Sequence, residues 1–309
     1  QDHCYNIMPL FHIHGLIAVL SSSINAGASV YASSGFNALQ FLETANTESI
    51  TWYSGVPTMH QAILMRAKKN PKLAEELSLR FIRSSSASLP PAVFDELKKI
   101  FKTTVIEAYG MTEATHQMTS NPMPPEKQKA GFVGKPAGPE VCIMDSQGNK
   151  LNTGEDGEVC IRGDNVTNGY ENNEEANKTA FINGWFRTGD QGHFDNEGYL
   201  KISGRLKEII NRGGEKVSPL EVDNILMEHE AVEQVVTFAV KDNLLGEAIG
   251  VAIVLKSGID CNETDIKNYA RKHLADFKIP KYIRFLEEIP KGATGKLQRI
   301  GLAEKLGLE

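Results

Sequence analysis

Up to about residue 110, apolar positions recur along the chain in two alternating rhythms. Ala28-Ser-Val-Tyr-Ala32 and Phe81-Ile-Arg-Ser84 are short runs that predict strands, whereas 38–45, 58–67 and 91–102 carry apolar residues at helical spacing. Strands alternating with amphipathic helices predict an α/β unit with a largely parallel sheet. The rhythm then shortens. Val141-Cys-Ile-Met144, Gly157-Glu-Val-Cys-Ile-Arg162 and Tyr199-Leu-Lys-Ile202 predict strands separated by turns such as Asp145-Ser-Gln-Gly148 and Asp195-Asn-Glu-Gly198. After Gly204-Arg205 it changes again: 220–229 and 264–274 predict helices, 235–240 and 249–255 strands. A compact α+β unit is expected there, with its boundary at Arg205 to Lys207.

With 309 residues, 41% of them hydrophobic, the chain can bury a sizeable core and is longer than most single domains. Two units are expected. A formal charge of −6 argues against a general polyanion-binding surface, so nucleic acid is not an implied partner, while a local basic patch remains open. The four cysteines, Cys4, Cys142, Cys160 and Cys261, form no C-x-x-C pair and have no histidines at zinc-ligand spacing. Buried free thiols in a reducing, cytoplasmic setting are the expectation. No apolar run reaches membrane-spanning length, and the first residues show no signal-peptide pattern.

The chemistry starts at Tyr109-Gly110-Met111-Thr112-Glu113. A glycine that can bring the backbone close to a ligand is followed by a hydroxyl for a phosphate oxygen and a carboxylate for Mg²⁺, as a nucleotide-handling turn at a strand end requires. Alone, these residues are better read as an ordinary strand exit, with Gly110 making a turn and Thr112 and Glu113 solvated. Trp185-Phe-Arg-Thr-Gly-Asp190, Gly204-Arg205-Leu-Lys207 and Pro290-Lys-Gly-Ala-Thr-Gly-Lys296 follow in order. With these four motifs the chain resembles the adenylate-forming superfamily of acyl-CoA synthetases, luciferases and nonribosomal peptide adenylation domains. The resemblance covers essentially the whole chain. It implies that 1–206 is the C-terminal part of a large adenylate-forming domain, an α/β sheet plus a small β-barrel-like subdomain, and that 207–309 is a mobile α+β lid.

The same resemblance implies roles for individual residues. Lys296 would bridge the acid's carboxylate and the α-phosphate, where negative charge concentrates when two anions are joined. Thr112 would bind phosphate and Glu113 would hold Mg²⁺. Asp190 would accept hydrogen bonds from both ribose hydroxyls, helped by Arg205. Ser86, Ala87 and Ser88 correspond to a loop whose small side chains let the backbone meet adenine, and Glu107, Ala108, Tyr109, Gly110 and Met111 to the rest of the nucleoside wall, with Tyr109 offering a stacking face. Of the histidines in Leu10-Phe-His-Ile-His14, only His12 matches the family's histidine at the carboxylate-binding wall. Lys207 corresponds to the hinge residue about which the lid turns between two half-reactions, and Gly213 and Gly214 would approach the pantetheine arm of CoA. Many relatives carry lysine at the position of Asn211 and a Lys-Gly pair at the two glycines, so the AMP and CoA contacts there are open.

After Glu113 the chain runs Ala114-Thr-His116-Gln-Met-Thr-Ser-Asn121-Pro, polar where long-chain relatives line an apolar acyl pocket. With Arg83-Ser-Ser-Ser-Ala-Ser and Arg212-Gly-Gly-Glu-Lys-Val-Ser-Pro219, this is most similar to the oxalate-CoA ligase branch. His116 and Ser86 would then recognise the second carboxylate. A 4-coumarate- or fatty-acid-CoA ligase, an amino-acid adenylation domain and a luciferase-like oxygenase share the motifs. A non-catalytic nucleotide-binding piece is the alternative outside catalysis, because no Ser/Thr/Gly-rich loop ending in lysine occurs in the sequence. That phosphate-cradling element is expected upstream of Gln1, and the isolated chain is expected to adenylate poorly.

Overall fold

The computed structural model describes residues 2–308. Its first sheet contains β1 (His3–Asn6), β2 (Ser29–Ala32), β3 (Trp52–Gly55), β4 (Phe81–Ser84), β5 (Thr104–Met111), β6 (His116–Ser120) and β7 (Lys135–Pro136), in the order β2-β1-β3-β4-β5-β6-β7. The first five strands are parallel, and β6 and β7 extend the sheet antiparallel. Parallel strands need crossovers, which the helices Pro57–Lys69 and Pro91–Phe101 supply. Pro91–Phe101 buries Val93, Phe94, Leu97 and Phe101, one helical stripe, and stops at Lys102, whose φ of 49° leaves the helical region. Both faces of β3 and β4 are buried, so these strands read as runs without alternation.

The strand order decides where a ligand can sit. From β1 the chain goes to β2 on one side and returns to β3 on the other. The order therefore reverses between β1 and β3, and open α/β sheets bind ligands beyond the carboxyl ends of strands at such a point. The loops leaving β1, β3, β4 and β5 begin there.

The second sheet comprises β8 (Glu140–Met144), β9 (Gly157–Arg162), β10 (Phe181–Ile182), β11 (Trp185–Phe194) and β12 (Leu200–Arg205), in the order β10-β11-β9-β8 with β12 beside β11. Cys142 faces Cys160 across β8 and β9; both thiols are free, and burial pushes that of Cys160 up to about 12. The third sheet contains β13 (Ile210–Arg212), β14 (Glu215–Val217), β15 (Val232–Asp242), β16 (Gly246–Leu255) and β17 (Tyr282–Phe285), ordered β14-β13-β16-β15 with β17 beside β16. Helices Pro219–Met227 and Glu263–His273 pack on one side of it around Val222, Leu226, Ile266 and Ala270.

The chain divides into two compact units. One comprises 1–188, 192–202 and 294–296, the other 189–191, 203–293 and 297–309. Among the described residues, no helix is long and apolar enough to cross a membrane.

Candidate active site

Each unit holds its own group of candidate residues. In the first, Gly110 lies inside β5, not in the turn expected from the sequence, and it is required for a different reason. A Cβ at this position would sit 1.6 Å from the carbonyl oxygen of His116 on β6, so only glycine lets the two strands approach. The turn comes later, as a 3₁₀ segment Thr112–Ala114 followed by two left-handed residues, Thr115 (φ 51°) and His116 (φ 86°). Non-glycine residues adopt this backbone at a cost, and here it turns the His116 ring into the interior. Tyr109 and Met111 pack against the cluster of Ala114, Met118, Ile161 and Phe186.

The buried polar cluster at the carboxyl ends of β3 and β4 is built on Arg83. Its side chain, only 5% exposed, donates to Ser54 Oγ at 3.3 Å and to Gln117 Oε1 at 3.3 Å. Ser54 Oγ and His14 Nε2 are 2.6 Å apart, and His14 Nδ1 lies 3.0 Å from Ser86 Oγ. Arg83 Nη1 also lies 3.5 Å from His14 Nε2, and a guanidinium only donates, so Nε2 is read as the acceptor, with Ser54 donating to it and the His14 proton on Nδ1 given to Ser86. Burial and the Arg83 charge hold His14 neutral, well below the usual histidine range. The His116 ring lies 5.5 Å from that of His14, its Nδ1 is buried without a partner, and burial followed by the Arg83 charge pushes it down to about 3. Among the described residues no carboxylate pairs with Arg83, and burial lowers its own value to about 10.

Other expected residues divide between scaffold and site. Glu107 is buried: Oε1 accepts from the Leu89 amide at 2.8 Å, Oε2 has no partner, and burial pushes the carboxyl up to about 8. It fastens the serine loop to β5, as does Ser85, which donates to the Ala108 carbonyl at 2.8 Å. Ser86 is left-handed (φ 74°), Ala87 is exposed and Ser88 half-buried, so small side chains line the outer turn of the loop. Glu113 accepts at Oε1 from the Tyr170 hydroxyl at 2.9 Å. Among the described residues no group of three or more His, Cys, Asp or Glu is placed to hold a metal. A magnesium at Glu113 would therefore be held by one carboxylate together with nucleotide oxygens, a common arrangement for this ion. His12 is half-buried, with burial and then the charge of Lys296 lowering its value. Lys296 lies in the short segment 294–296 of this unit, where Thr58 Oγ1 donates to the Gly295 carbonyl at 2.7 Å.

In the second unit, Asp190 is buried and Arg205 Nε lies 3.0 Å from its Oδ1. Lys207 is exposed in the 3₁₀ turn Leu206–Glu208. Gly213 and Gly214 (φ 61° and 95°) are the two turn residues of the β13–β14 hairpin, and two consecutive positive φ values are what a type I′ turn needs. Sequence reasoning missed Ser54, His14 and the side-chain role of Arg83. An arginine in the middle of the apolar strand Phe81–Ser84 is the signal that could have found them.

The AMP-binding enzyme family matches residues 1–171 and its C-terminal domain matches 221–296. The chain belongs to the family of AMP-binding enzymes. It is 50% identical over 302 residues to an oxalate–CoA ligase of Arabidopsis thaliana, covering 97% of this chain and 59% of that protein. To an oxalate–CoA ligase of Saccharomyces cerevisiae it is 48% identical over 305 residues, covering 98% and 55%. The fold matches the crystal structure of ATP-bound MatB from Rhodopseudomonas palustris with a TM-score of 0.91 at 29% identity, over 99% of this chain and 60% of that one. The chain thus spans somewhat over half the length of the relatives it matches.

Proposed function

We propose that this chain serves acid–CoA ligation through an acyl-adenylate as part of a whole enzyme, and that the acid is a small dianion, oxalate before others. One observation carries the choice of acid: among the described residues Arg83 is buried without a carboxylate partner, beside two neutral histidines and two serine hydroxyls. An unpaired buried guanidinium is costly, and an anion in contact with it or its partners offsets that cost. His116, with an unpartnered buried nitrogen, and Ser86 supply further hydrogen bonds for the second carboxylate.

The first carboxylate attacks the α-phosphate of ATP and pyrophosphate leaves; the CoA sulfur then attacks the acyl carbon and AMP leaves. Lys296 and Thr112 neutralise and orient the phosphate oxygens, and His12 donates to the reacting carboxylate. Asp190 and Arg205 serve the ribose, the loop Ser86-Ala87-Ser88 and Glu107–Met111 the adenine, and Gly213 and Gly214 the pantetheine arm. Glu113 gives an oxygen to the Mg²⁺ that accompanies ATP, which supplies charge neutralisation at the phosphates.

The test is an acid panel run on the full-length protein that contains this chain, scored as AMP release in the presence of CoA. Oxalate is expected to exceed hydroxycinnamates and medium-chain fatty acids in kcat/KM. Equal or better turnover on either of those acids overturns the assignment.

A further inference from the structure

One guanidinium in the second unit reaches three separate parts of its fold. Arg299 Nε lies 3.2 Å from Oε2 of Glu208, Nη2 donates to Asp223 Oδ2 at 2.8 Å, and Nη1 donates to the Thr237 carbonyl. Asp223 sits on the helix Pro219–Met227 and Thr237 on β15, and the two are joined independently where the Thr237 amide donates to Asp223 Oδ1 at 2.6 Å. Glu208 closes the 3₁₀ turn that contains Lys207. The planar fork of arginine fits such a set of acceptors, and a lysine would not reach all three.

Arg299 also follows directly on the foot of the lysine loop. That loop is closed where Lys291 and Leu297 form a β-bridge and the Gln298 amide donates to the Pro290 carbonyl at 2.8 Å. The pairs are well shielded, with Arg299 16% and Glu208 22% exposed, so they are worth more than exposed ion pairs.

We propose that Arg299 is a positioning residue that fastens the hinge turn Leu206–Glu208 to the foot of the loop carrying Lys296, so that the turn and the foot residues Pro290, Leu297 and Gln298 hold together as one body. The functional meaning of this clamp rests on the hinge role that the family resemblance implies for Lys207 and on the catalytic role proposed for Lys296; its mechanical content does not. Without the Glu208 arm, a turn about the hinge no longer fixes where the loop foot goes.

Glu208→Ala removes that arm and leaves Asp223 paired, which Arg299→Ala would not. Two amides read the result by hydrogen exchange: Ile209, bonded to the Arg205 carbonyl, and Gln298, bonded to the Pro290 carbonyl. Both are expected to exchange at least about tenfold faster in E208A, while Ala270 in the helix Glu263–His273 is unchanged and E208Q falls in between. A Gln298 rate within about twofold of the unaltered protein overturns the clamp. In the full-length protein, kcat for adenylation is expected to fall several-fold with KM for the acid unchanged. A loosened Gln298 amide with unaltered kcat keeps the mechanical clamp and removes its role in placing Lys296, so the two failures are distinguishable.

Discussion

Arg83 sets the character of the first unit's polar cluster at the scale of single residues. An arginine held away from water without a counter-ion destabilises the free protein and favours whatever anion satisfies it. Arg83→Met is therefore expected to separate two properties that usually fall together. In the full-length protein, kcat/KM for oxalate should drop by about 100-fold, roughly 3 kcal/mol of lost charge-assisted bonding, while the urea midpoint holds or rises. A midpoint that collapses with activity would show that Arg83 only supports the fold. The residue was visible in the sequence, but burial was not, because one charged letter in a four-residue strand carries no sign of which elements cover it. The same blindness passed over His14, two positions from His12, which the backbone turns fully inward.

Elements were more legible than contacts. Helices with a clear apolar stripe, such as Pro91–Phe101 and Glu263–His273, fall within a residue or two of their expected spans, since periodicity and capping report local forces. Strand β3, Trp52-Tyr-Ser-Gly55, was missed because serine and glycine in its second half read as a turn, and burial on both faces leaves no alternation to outweigh them. Gly110 was misread for a related reason: its small size answers to β6, a neighbour that local patterning cannot see. The helix Glu263–His273 begins with a capping box, Asn262 accepting from the Thr264 and Asp265 amides while Asp265 accepts from the Asn262 amide. Asn262→Ala should destabilise the second unit by about 1 kcal/mol, measurable as faster exchange of the Ile266 and Ala270 amides; unchanged rates would show that packing alone holds this end.

On the scale of the whole molecule, the division into two units gives a separable response to acid. His14, His60 and His116 are all buried in the first unit and held below their ordinary values, His60 and His116 to about 3. A base whose folded value is depressed binds fewer protons folded than unfolded between about 6.5 and about 3. Its contribution is therefore present above pH 6.5 and lost as the pH falls through that window. Both tryptophans, Trp52 and Trp185, lie in the first unit, so indole fluorescence reports it alone. Melts followed by fluorescence should shift down from pH 7 to pH 4.5, against the opposite effect of Glu107, whose raised carboxyl favours the folded state as the pH falls. His60→Phe should flatten part of that slope; an unchanged slope in H60F would exclude His60 as a cause. None of this could be read from composition, since all eight histidines look alike until the fold sorts them by burial.

The two left-handed residues that present His116 have a consequence for anyone who would improve this chain. Glycine at Thr115 would relax the backbone, so a search for greater heat resistance would be drawn to it. The same relaxation would let the His116 ring wander from its place opposite His14. On the acid-reading role proposed for His116, durability and discrimination are set against each other at one turn, and a variant selected only for surviving heat is expected to become less particular about its acid.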